Sequence, residues 1–153
     1  MRYNPGMAYT YLCLAYHVVF STKERRPFLT EPLQDAMRGF MGGIARHNKF
    51  QLVGSGSMPD HVHLLLTLPA DLALSKAVQL IKGGSSKWFR ETHDRHFNWQ
   101  EGYGGFTVSH SMVPRTLAYL RNQKVHHRKM DFVSEYRLLL EKHGIKYEER
   151  YLL

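Results

Sequence analysis

The sequence predicts an α+β fold: a ferredoxin-like (split βαβ) antiparallel sheet with helices on one face, plus a C-terminal helix beyond that unit. Three observations lead there. Apolar residues recur with strand and helix periods in the order β-α-β-β-α-β, and two more helical segments follow. The chain has 153 residues, enough for one domain with a substantial core. No internal repeat, low-complexity tract or linker divides it, so one domain over residues 1–153 is expected.

Tyr9 to Phe20, rich in β-branched and aromatic residues, reads as the first strand, and the basic turn Thr22 to Pro27 ends it. From Glu31 to His47 the period becomes helical, with Leu33, Met37, Phe40, Met41 and Ile44 on one stripe and Pro32 suited to the first turn. Phe50 to Gly54 begins a second strand, which Ser55 to Asp60 interrupts before a third, His61 to Leu68. Leu74 to Thr92 is helical, although Gly83 and Gly84 weaken its middle. After a polar stretch, Phe106 to His110 supplies the last strand. Pro114 can open a helix through about His127. Asp131 can cap another that reaches His143 before Gly144.

Composition narrows the function classes. Lysines and arginines outnumber acids by 21 to 13, a net charge of +8 that favours a polyanionic partner. No long amphipathic helix pairs an aromatic face with a lysine face, so nucleic acid is the better match than a membrane surface. No apolar run approaches the roughly 20 residues of a membrane span. The start, Met1 to Gly6, is polar and lacks a secretory signal pattern. Cys13 is the only cysteine, which excludes an intrachain disulfide and a multi-cysteine zinc site. A cytoplasmic location, nucleoid-associated during action, is the expectation.

Two constellations carry chemistry. On the third strand Val62, Leu64, Leu66 and Leu68 form one face, and His61, His63, Leu65 and Thr67 the other. The first set wants the core. The two histidines then lie roughly 6 to 7 Å apart along the strand and can converge on one metal ion. Asp60 would point to the opposite face, as a turn residue rather than a ligand. The bland alternative is a pair of half-exposed strand histidines.

The second lies in Met112 to Met130, which holds Arg115, Arg121, Lys124, Arg128 and Lys129 and no acid. Val113, Leu117 and Leu120 define its buried stripe. Tyr119 sits about 200° around from Leu117 and shares a face with Arg115 and Gln123. A tyrosine there is poorly explained as core, although a solvated surface tyrosine is the competing reading. With a pKa near 10 its hydroxyl is a weak nucleophile unaided. A divalent ion on His61, His63 and the carbonyl oxygen of Gln123 would polarise a phosphate for attack. Mg²⁺ or Mn²⁺ is expected, with Zn²⁺ a third candidate.

Lys23, Arg25, Arg26, Lys87, Arg115 and Arg121 are the candidate DNA contacts. At least two of Trp88, Phe89 and Trp99 are expected in the core. His126 and His127 read as surface residues or phosphate contacts, and His17 as strand packing.

In this order the motifs resemble the single-tyrosine HUH transposases of small bacterial and archaeal insertion sequences. The likeness covers nearly the whole chain: YHVVFSTKERRP from Tyr16, MPDHVHLLL from Met58, IKGGSSKWFRE from Ile81, WQEGYGGFTVS from Trp99, YLRNQKVHHRK from Tyr119, and the tail YEERYLL. It implies a homodimer in which Tyr119 and Gln123 of one chain can meet His61 and His63 of the other. It also implies a substrate, single-stranded DNA with subterminal hairpins, cut through a 5′-phosphotyrosine without a nucleotide cofactor. No second tyrosine lies one turn away, as two-tyrosine relatives would require. The competing functions are a non-enzymatic single-stranded nucleic-acid-binding module, an HUH nicking enzyme, and a metal-dependent hydrolase.

Overall fold

The fold follows from where the apolar faces of the strands find cover. The computed structural model describes residues 10–152. Four strands, β1 (Ala15–Ser21), β2 (Gln51–Met58), β3 (His61–Thr67) and β4 (Gly104–Val108), form an antiparallel sheet in the order β2-β3-β1-β4. Two helices, α1 (Glu31–His47) and α2 (Leu74–Thr92), have the bounds that the periodicity predicts. They bury Met37, Met41, Ala45, Ala77, Val78, Ile81 and Phe89 with Val18, Phe20, Val62, Leu64 and Leu66 of the sheet. Trp99 joins this core and Trp88, half-buried, stacks on Phe40 at 4.7 Å, so of Trp88, Phe89 and Trp99 the last two are buried. The weak middle of α2 has a use. A side chain at Gly84 would meet Ile44 of α1 at 2.8 Å, so the glycine lets the helices close.

The sheet departs from the sequence reading in its edges. The first strand starts at Ala15 rather than Tyr9. Tyr9 lies outside the described residues, and Thr10 to Leu14 form no strand, since register with β3 and β4 begins at Ala15. The expected break at Ser55 to Asp60 shrinks to the turn Pro59-Asp60, because β2 continues through Ser55-Gly56-Ser57 in register with β3. Ladder pairing outweighs the poor strand propensity of glycine and serine there. The last strand lies two residues earlier than read, and Ser109 to Met112 form a turn instead.

The second face of the sheet is covered as well. α3 (Val113–Arg121), α4 (Gln123–His126) and α5 (Phe132–Lys142) lie across it, the single predicted helix breaking at Asn122. Val19 and Phe106 of the sheet pack there with Phe132, Leu140 and Leu152. α5 starts as predicted: the Asp131 carboxylate accepts from the Ser134 backbone N–H at 2.8 Å, and Gly144 follows its end with φ of 67°. The histidine face of β3 is therefore interior. His61 and His63 are 1% and 0% exposed, which rules out half-exposed strand histidines.

Candidate active site

Register fixes who stands beside the histidines. His63 pairs with Gly56 of β2 and Val19 of β1, and His61 with Met58 and Ser21, so these residues share a face. Gly56 leaves the gap that lets the next layer in. A Cβ built there would lie 2.1 Å from the Leu120 carbonyl oxygen and 2.8 Å from Gln123 Cγ. At Gly54 it would lie 2.4 Å from Leu117 Cδ2. The end of α3 and the start of α4 thus rest directly on two glycines of β2. This contact brings Tyr119 and Gln123 to the histidines within one chain.

Around them a closed polar network forms. The Tyr119 hydroxyl donates to Glu135 Oε2 in a short hydrogen bond. Glu135 Oε1 lies 2.8 Å from His63 Nε2, 3.3 Å from His127 Nε2 and 3.7 Å from His61 Nε2. Gln123 is buried beside them, its Oε1 3.1 Å from His127 Nε2 and its amide nitrogen 3.4 Å from Glu135 Oε2. On the far sides, His61 Nδ1 bonds Asp60 Oδ1 at 2.7 Å and His63 Nδ1 meets His17 Nε2 at 2.8 Å. Asp60 stands in the turn before β3, and its carboxylate fixes the His61 ring.

The electrostatics follow from burial. Burial pushes His17 down to about 3, and His63 beside it adds to the shift. His63 is pushed down to about 4 because burial outweighs the pull of Glu135. Both imidazoles are neutral at ordinary pH. Burial opposes the charge on Glu135, but hydrogen bonds from His127 and His63 hold its carboxyl well below the usual carboxylate range. Tyr119 is pushed up, first by burial and then by its bond to the Glu135 carboxylate. As it stands the hydroxyl is protonated and a poor nucleophile.

His61 Nε2 is the sole buried side-chain nitrogen or oxygen among the described residues with no hydrogen-bond partner. An imidazole whose other nitrogen is held by a carboxylate, and whose Nε2 faces further donors, suits a metal ligand. With His63, His127 and Glu135 it forms a group whose ligand atoms all lie within 4.8 Å of one another. The residues present fit a divalent ion.

Glu135, His127 and His17 were not assigned to this cluster from the sequence. One signal was available: Glu135 is an acid at an apolar-stripe position of α5, three residues after Phe132 and five before Leu140, all three buried. For His127 the signal was its place one turn after Gln123.

The basic residues divide. Arg115 lines a cleft of about 590 Å³ with Tyr119, His17, Lys142 and His143. Lys23 and Arg26 line a separate cleft of about 680 Å³ with Arg90 and Arg95, Arg26 also pairing with Glu24 at 3.1 Å. Arg25 lowers the Asp60 and Asp131 carboxyls slightly, behind larger local causes. Lys87 and Arg121 are exposed on helices, lining neither cleft. Lys82 donates to the Gln100 and Gly102 carbonyls and serves the fold. Among the described residues no helix is long and apolar enough to cross a membrane.

Comparison with known proteins gives consistent matches. Residues 10–123 match the family model described as "Transposase IS200 like". The ISDra2 transposase TnpA of Deinococcus radiodurans is 27% identical over 130 residues, 80% of this chain and 92% of the relative. The transposase for insertion sequence element IS200 of Salmonella typhimurium is 25% identical over 126 residues, 77% and 82% of the two chains. Among solved structures, a transposase from Deinococcus radiodurans matches with a TM-score of 0.61 at 28% identity, covering 80% of this chain and 98% of that one. A REP-associated tyrosine transposase bound to a REP hairpin matches with a TM-score of 0.59 at 17% identity, covering 79% and 74%, a likeness of fold.

Proposed function

The chain belongs to the IS200-like transposase family, and from that premise we propose that it cuts and rejoins single-stranded DNA through a bond between Tyr119 and phosphate. The observation that carries this reading is the meeting of Tyr119 with His63 and the unpartnered His61 Nε2 around Glu135. A nucleophile and a set of metal donors meet around one buried carboxylate, and Tyr119 also lines the cleft that holds Arg115 and Lys142.

The reaction conserves bonds. Tyr119 Oη attacks the scissile phosphorus, the P–O3′ bond breaks, and the departing oxygen takes a proton to become a free 3′-hydroxyl. The chain keeps the 5′-phosphate as a phosphotyrosine. A 3′-hydroxyl then attacks that phosphorus and returns the tyrosine, so no nucleotide cofactor is consumed. A divalent ion, Mg²⁺ or Mn²⁺, held by His61 and His63 with Gln123 adjacent, would supply positive charge for the phosphate oxygens. The protein's own residues orient the reactants. Glu135 fixes the direction of the tyrosine hydroxyl, and Asp60 and His17 fix the two imidazoles. Lys23, Arg25, Arg26, Lys87, Arg115 and Arg121 would neutralise the DNA backbone.

Hairpin-ended single strands are the substrate class, in keeping with the REP hairpin bound to the relative of like fold. We read residues 1–153 as one catalytic domain that works as a homodimer.

The test is covalent trapping. Wild type and Tyr119→Phe are incubated with labelled single-stranded element-end DNA and Mn²⁺ or Mg²⁺, with EDTA as control. A denaturation-resistant protein–DNA band is expected for wild type with metal only, and loss of the phenolic oxygen should remove it completely. Cleavage with free ends and no band would instead mean hydrolysis, and binding without cleavage would mean a binding module.

A further inference from the structure

We propose that His127 and Glu135 complete, with His61 and His63, a four-residue centre for one divalent cation. The proposal rests on the metal-assisted reading above and names the ligands and ion class of that same pocket.

Distance is the first argument. An ion bound about 2.0–2.2 Å from nitrogen and oxygen donors puts neighbouring donors of a tetrahedral set about 3.4 Å apart. The three imidazole Nε2 atoms lie 2.8, 3.3 and 3.7 Å from the one Glu135 oxygen, and all four donors fall within 4.8 Å of one another. Three nitrogens converge on one carboxylate oxygen at distances that bracket this edge length, as donors to a shared cation would.

Protons also point to a cation. Glu135 brings the only carboxylate of this set, 5% exposed, into a pocket of imidazoles. His63 Nε2 can donate to it, but His61 Nε2 has no hydrogen-bond partner. A purely structural network would leave that buried nitrogen without its hydrogen bond, which opposes burial. A cation satisfies it. The two strand imidazoles are also held from behind as a metal-bound imidazole requires: Asp60 accepts from His61 Nδ1–H, and His17 is positioned to accept from His63 Nδ1–H once Nε2 turns to an ion.

The donor set chooses the ion. Three imidazoles and one carboxylate favour Mn²⁺, Co²⁺ or Zn²⁺ over Mg²⁺, which prefers oxygen ligands and keeps its waters. Gln123 Oε1, 3.1 Å from His127 Nε2, stands at the rim of the set as a further donor. Half of the four ligands thus come from the segment that follows the tyrosine, so metal binding would anchor α5 to the sheet.

Mn²⁺ titration calorimetry on the full chain, with Co²⁺ visible absorption as a second readout, tests this. Wild type, His61→Ala, His127→Asn and Glu135→Gln are compared, circular dichroism checking that each is folded. Glu135→Gln and His127→Asn should each weaken Mn²⁺ binding at least about tenfold and alter the Co²⁺ spectrum, and Mg²⁺ should bind wild type far more weakly than Mn²⁺. If His61→Ala loses Mn²⁺ while the other two variants bind within about twofold of wild type with its spectrum, the added ligands are wrong and the two-histidine reading stands. If wild type binds no Mn²⁺, both readings fall together.

Discussion

Neutral buried imidazoles give this pocket a definite response to acid. His63 and His17 sit at about 4 and 3 in the folded chain, below the ordinary 6.5 that they regain on unfolding. The unfolded chain therefore takes up protons that the native pocket refuses, and stability drains as pH falls. The loss begins below about 6.5 and continues through 4 to about 3. Glu135, also held low, adds to it below its ordinary 4.5. The two histidines together should account for a loss on the order of a few kcal/mol. Thermal melts of metal-free protein in EDTA, taken from pH 7.5 to 4, should show the melting temperature falling steadily. A flat or rising profile would mean that the imidazoles are charged in the fold.

The element that makes the pocket is the seam between β2 and the α3–α4 pair. Gly56 stands opposite His63, and the Leu120 carbonyl occupies the space where a side chain would be. Gly56→Ala drives a methyl against backbone rather than a yielding side-chain tip. The helix must shift, which should destabilise the protein by about 1–3 kcal/mol. More telling is the expected kinetic result, since Tyr119 and Gln123 ride on the displaced segment. Trapping of DNA should fall at least tenfold in protein that remains folded by circular dichroism. Gly83→Ala is the control: a Cβ there meets nothing within 4 Å, so activity should stay at wild-type level. The helix periods of α1 and α2 were legible to the residue because each is a long amphipathic run with a buried stripe. The continuity of β2 was not. Its serines and glycines carry no strand signal, and only the β3 ladder and the overlying helices explain them.

At the scale of the molecule, one chain holds a full set of candidate residues, Tyr119 reaching the Glu135 carboxylate that meets its own His63. Mixing Tyr119→Phe with His63→Ala protomers therefore should not restore trapping of element-end DNA. Recovery of the covalent band would mean that the tyrosine helix exchanges between the chains of a dimer. Local periodicity and motif spacing encode the sheet-and-helix order, the strand that carries His61 and His63, and the tyrosine helix, so these were legible before any fold was known. The sequence also pointed to a nucleic-acid partner through its excess of cations. Tertiary structure alone decided that both faces of the sheet are covered and that Gly56 admits the tyrosine helix. It alone brought Glu135, His127 and His17 around the two strand histidines. These residues are 72, 64 and 46 positions from His63, and no local pattern spans such distances. A carboxylate on α5 is an ordinary helix residue in the sequence. It becomes the centre of the pocket only when packing removes water and turns His63, His127 and His61 toward it.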